Sequence, residues 1–168
     1  MEEVIDRSEV IGLFNSKLET GTRAVIVLDA AYPRTLDLAR LTWFDHLVVH
    51  TGDAGGPPSL HPPLPERTGE LLVRRRLVED SLTLMRRVHL VDAVADEHGV
   101  SFRASDEAAP FVSLMRTEYA QALKTCAKWL VDHFADLSAE ELARQVEHRL
   151  DRWSVEFSSD GAQPSGGS

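Results

Sequence analysis

The stretch from Glu66 to Ala104 constrains this chain more than any other. From Glu70 to Val88 it has helical period, with Val78, Leu82 and Met85 on one face. It then runs into two short strands, Leu90–Val94 and Val100–Ala104, around the turn Asp96-Glu97-His98-Gly99. Alternation in these strands is partial, and Leu90 with Val100 or Phe102 are the expected inward positions. Two helices are expected upstream. Ser16-Lys17-Leu18-Glu19 reads as a capping box opening a helix to about Ala31, which carries Leu18, Val25 and Leu28 inward and is stopped by Pro33. Thr35 reads as the N-cap of a second helix to about Thr51, burying Leu36, Leu41, Phe44, Leu47 and Val48.

Helix, helix, long helix and hairpin is the order of a winged helix-turn-helix domain. The expected fold is therefore mainly α with a small β-hairpin, carrying appended C-terminal helices. Its expected division is a weakly ordered lead-in (1–12), the winged-helix domain (13–112), a C-terminal helical extension (113–157) and a disordered Gly/Ser/Pro-rich tail (158–168). Between the second and third helices, Gly52–Pro58 and His61–Pro65 form a rigid connector, since proline joins neither a helix nor a sheet interior. Ser105-Asp106-Glu107 caps a short helix interrupted near Pro110. Thr117 starts a helix with Tyr119, Leu123, Cys126, Leu130 and Phe134 on one stripe. Ser138–Glu141 is a second capping box, and the helix after it carries a narrow seam of Leu142, Val146, Leu150, Trp153 and Phe157.

Composition narrows the function classes. A single cysteine, Cys126, excludes an internal disulfide and a Cys-based zinc site. No signal peptide or membrane-spanning run is visible, so a cytoplasmic, soluble protein is expected. The formal net charge of −9 disfavours non-specific attraction to nucleic-acid backbones unless a local basic patch overrides it.

Such a patch is offered by Arg74, Arg75, Arg76, Arg86 and Arg87 on the long helix. Arg76 and Arg87 should reach solvent, opposite Val78, Leu82 and Met85. Glu79 and Asp80 follow Arg75 and Arg76 by four residues, a spacing that lays each acid over its arginine. The hairpin turn is acidic where a phosphate-tracking wing would carry lysine or arginine. A solvated, salt-bridged face therefore accounts for these residues better than insertion into a DNA groove. A DNA-binding transcription regulator using Arg75, Arg76, Arg86 and Arg87 stands as the alternative.

His46 and His50 sit one helical turn apart, with Asp45, Asp53 and His61 near in sequence. The spacing permits metal ligation but lacks a second motif, and hydrogen bonding of His50, Asp53 and His61 to the proline-rich connector explains it as well. No phosphate loop, nucleophile elbow or framed carboxylate pair is present. Cys126 lies on an apolar stripe, as a core thiol does. No catalytic, metal or cofactor-binding residue is assigned, and a non-enzymatic protein is expected.

Several segments are distinctive as a set: Phe14–Glu19, Leu28–Pro33, His50–Asp53, Pro57–Pro62, Gly69–Arg75 and Tyr119–Leu123. Together they resemble the middle component of ABC-three-component bacterial conflict systems, the group that includes the small subunit of Lamassu-type anti-phage defence. The likeness spans about Phe14 to Leu137. It implies a non-catalytic scaffold or regulator between an SMC-like ABC ATPase and an effector, often a nuclease. It also implies no cofactor, no membrane, and contact with DNA only through the complex. Within that expectation Trp129, about 80° off the Tyr119–Phe134 stripe, is a candidate interface anchor together with Leu142, Val146, Leu150, Trp153 and Phe157. Packing of the same residues onto the chain's own helices is the simpler reading.

Overall fold

The computed structural model describes residues 7–61 and 68–148, with side chains for 16–61 and 73–148. It is mainly helical with one small antiparallel sheet. Helix α1 (Arg7–Ala31) is followed by a two-residue strand β1 (Leu36–Asp37), helix α2 (Leu38–Leu47) and a 3₁₀ turn over Thr51–Ala54. Then come α3 (Thr68–Arg87), β2 (Val91–Asp96), β3 (Gly99–Ala104), α4 (Ala108–Ser113) and α5 (Glu118–Phe134). A sixth helix, α6, begins at 139 and continues to 148, the last residue described.

The long α1 is the centre of the molecule. Ala24, Val25, Ile26, Val27 and Leu28 are all buried, so this stretch of the helix is covered on every side, by α2, α3, α4, α5 and the sheet. A stretch buried all round has no single apolar stripe. Its start differs from the sequence expectation. Ser16–Glu19 is no capping box but lies inside the helix, which begins at Arg7. Leu18, expected inward, is 44% exposed. Small residues instead make the crossing with α3, where a Cβ on Gly21 would stand 2.5 Å from Met85 Cε.

Thr35 is not the cap of α2. Asp37 is, its Oδ1 accepting from Arg40 N–H at 2.8 Å. The residues before it are extended because Leu36 and Asp37 pair with Phe102 and Ser101, adding a third strand in the order β1-β3-β2. Leu36, Leu41, Phe44, Leu47 and Val48 are buried as expected, but α2 ends at Leu47. In the hairpin, Val91 faces Ala104 and Asp96 faces Gly99, whose φ of +119° suits glycine. Phe102 turns inward and packs on the core, whereas Val100 is exposed.

Helix α3 stops without glycine. His89 takes the left-handed conformation (φ +61°), its N–H bonds Arg86 C=O, and Leu90 N–H bonds Met85 C=O at 3.0 Å. This is a Schellman ending, anchored by burial of Leu90 and Met85. Helix α4 has no side-chain cap and runs through Pro110 without the expected interruption, whereas α5 and α6 start where local chemistry says. Thr117 Oγ1 accepts from Ala120 N–H, and Ser138 and Glu141 exchange reciprocal bonds at 2.8 and 3.1 Å. One apolar core joins residues of α1, α2, α3, the sheet, α4, α5 and α6, including Leu142 and Val146.

Candidate functional site

The polar residues of the interior gather where α1, α2, α3 and α5 meet the connector after α2. At the centre is Asp45, whose side chain is only 3% exposed. Arg23 Nε on α1 approaches Asp45 Oδ1 at 2.8 Å, and an Arg74 terminal nitrogen on α3 approaches Oδ2 at 2.8 Å. Arg23 also donates to Thr20 Oγ1 at 3.2 Å. One carboxylate thus clamps three helices. Burial by itself would lower the Arg23 pKa, but attraction and hydrogen bonding from Asp45, with smaller help from Tyr119 and Glu19, raise it above its ordinary value. The guanidinium is locked in its charged form.

Beside this node run four rings. His46 and His50 are both buried, with ring centroids 4.5 Å apart. His61 stands edge-on to His50 at 6.4 Å, and its Nε2 shares a 2.9 Å hydrogen bond with Tyr119 Oη. Burial raises the Tyr119 pKa, opposed by Arg23 and reinforced by Glu19, Asp45 and Cys126, so the phenol keeps its proton at neutral pH. Among the described residues no group of three His, Cys, Asp or Glu side chains converges as metal ligands would.

Hydroxyl and backbone groups help to hold the connector. Thr51 Oγ1 donates to Pro57 C=O at 2.8 Å and lies 3.3 Å from the buried Cys126 Sγ. Gly52 N–H donates to Ser59 Oγ, and Leu60 and His61 N–H both reach Val49 C=O. His61 does bind, but through Tyr119, while Asp53 is exposed. Trp129 packs its indole against Gly56, where an added Cβ would lie 2.7 Å from three ring carbons. The indole cannot retreat easily, because it stacks on His133 (4.5 Å) and meets Phe134 edge-on (5.7 Å). Gly56→Ala is therefore expected to cost about 1–3 kcal/mol, read as a lower urea midpoint. An unchanged midpoint would mean that the connector does not depend on this contact.

The structure separates the arginines that sequence grouped together. Arg74 turns inward to Asp45, whereas Arg75, Arg76, Arg86 and Arg87 are exposed. Neither Arg75–Glu79 nor Arg76–Asp80 is among the ion pairs of the described residues, which are Arg23–Asp45, Arg74–Asp45, Arg34–Asp136 and Arg40–Asp37. In open solvent the weak gain of such a pair does not offset the entropy of fixing two long side chains. Trp129 is half-buried against the connector, and Leu142 and Val146 point into the core. Leu150, Trp153 and Phe157 lie outside the described residues. Arg23, Asp45 and Tyr119 were invisible as a set in the sequence, since contact alone relates them. A shallow groove of about 250 Å³ between α1, α4 and α5, with Asp29, Lys124, Lys128 and Asp132 at its walls, carries mixed charge and no convergent chemistry.

Parts of the segments distinctive in sequence meet near the Asp45 node, where His61 bonds Tyr119 and Arg74 bonds Asp45. A family model for the ABC-three component (ABC-3C) system Middle Component 2 matches residues 13–156. The chain belongs to that family. No curated protein and no solved structure gives a significant match. The family's name places this middle component in a multi-subunit system, so it has protein partners. No described helix of the middle component is long and apolar enough to cross a membrane.

Proposed function

We propose that this middle component is a non-catalytic scaffold and regulator that joins an SMC-like ABC ATPase to an effector, a nuclease in the simplest case, in a Lamassu-type anti-phage or anti-plasmid complex. The observation that carries the proposal is the family match across 13–156. The internal chemistry agrees with it. The carboxylate, guanidinium and imidazole groups that an enzyme would turn toward a substrate are spent on each other and on the connector. The order α1-β1-α2-α3-β2-β3 with sheet order β1-β3-β2 supports a winged-helix core.

Co-expression with the products of neighbouring genes tests the proposal, with a tag on this chain alone. A stable complex containing a large ATPase and an effector is expected on size exclusion. Elution of the tagged chain by itself would contradict it.

A further inference from the structure

One face of α3 is used by neither the core nor the Asp45 node. With Arg75 as zero and 100° per residue, Arg86 stands at about 20°, Glu79 at about 40°, Thr83 at about 80°, Arg76 at about 100° and Arg87 at about 120°. All six side chains are exposed, while Val78, Leu82 and Met85, at about 280° to 340°, are buried. The acids at i+4 do not close on the arginines, and none of the four guanidiniums forms an ion pair among the described residues. The sequence expectation of a neutralised face therefore gives way to a face with net positive charge on a chain of formal charge −9.

We propose that this face of α3 binds the phosphate backbone of duplex DNA directly. Arg75-Arg76 and Arg86-Arg87 are two pairs separated by eleven residues, or about 16 Å along the helix. The major groove of B-DNA is about 12 Å wide, so a helix laid across it sets one arginine pair on each phosphate rim. Glu79, Asp80 and Thr83 then lie between the pairs, over the base edges. Guanidinium is the side chain whose planar fork matches phosphate oxygens. A protein partner fits this face less well. Its anchoring residues need apolar surface to desolvate against, and among the described residues between Arg75 and Arg87 this arc holds none. The α3 helix is rigidly presented, because Arg74 and the buried stripe fix it to α1 and α2. The exposed Asp96 and Glu97 of the hairpin turn repel phosphate and so limit the affinity at low salt.

Fluorescence anisotropy of the full chain with a short labelled duplex tests this. Four phosphate contacts predict a slope of log affinity against log salt near −3.6, which is a loss of about 150-fold between 50 and 200 mM salt. Arg75→Ala/Arg76→Ala and Arg86→Ala/Arg87→Ala should each halve the slope, leaving a loss of about 12-fold over the same range. All four side chains are exposed, and circular dichroism verifies that the variants are folded. Assembly with protein partners should be unchanged in both variants, so this proposal and the scaffold proposal fail separately. Absence of binding at about 50 mM salt, or a slope untouched by both double variants, would overturn it. So would variants that lose a protein partner while DNA affinity stays the same.

Discussion

Asp45→Ala is expected to destabilise the fold by about 3–5 kcal/mol, because it strips the counter-charge from two guanidiniums drawn into the interior. Arg23 and Arg74 are 14% and 25% exposed at the side chain, so solvent relieves part of the cost and the lower end of that range is expected. Asp45→Asn keeps the shape and some hydrogen bonding but removes the charge, and should fall between wild type and Asp45→Ala. The informative control is the triple variant Arg23→Met/Asp45→Leu/Arg74→Met. Replacing a buried ionic cluster by apolar side chains of similar size is often neutral or stabilising, so this variant should recover most of the lost stability. Urea denaturation of the four proteins measures the series. A single variant at Asp45 with wild-type stability would show that the node does not clamp α1, α2 and α3 together.

Leu142→Ala carries the second large expected effect, about 2–5 kcal/mol. Leu142 has no exposed surface and belongs to the common core, so its truncation opens a cavity beneath α6. Two roles are open to the seam it begins, internal packing or docking of a partner, and they predict opposite outcomes. Internal packing lowers the urea midpoint of the isolated chain in proportion to the cavity. A docking role leaves that midpoint unchanged and weakens assembly instead. Val146→Ala, at 8% exposure on the same face, should follow with a smaller loss.

How much of this was legible in the sequence depended on whether the cause was local. The caps of α5 and α6 were readable because an N-cap, or the capping box at Ser138 and Glu141, is a contact across three residues. The buried face of α3 was readable because its period of 3.6 residues survives on a half-buried element, and the hairpin because the polar turn Asp96–Gly99 parts two short runs. The start of α1 was misplaced because Ser16 and Glu19 have capping-box spacing inside a helix that already runs from Arg7. Strand β1 was missed because two residues have no period, and only pairing with β3 makes them a strand. The Asp45 node joins residues 22 and 29 positions apart, and the His61–Tyr119 bond spans 58. No local rule reaches that far. Arg74 among five arginines shows the limit most clearly. Composition gave a basic cluster, and only the helix phase with the position of Asp45 sends one member inward and leaves four outside.

The proposed scaffold role concerns two other proteins more than this one. The most direct measurement is co-purification of the proposed ATPase and effector partners, expressed together with and without this chain. The two should elute as one complex when the middle component is present and separately when it is omitted. An ATPase–effector complex of unchanged yield and size in its absence would contradict the scaffold role.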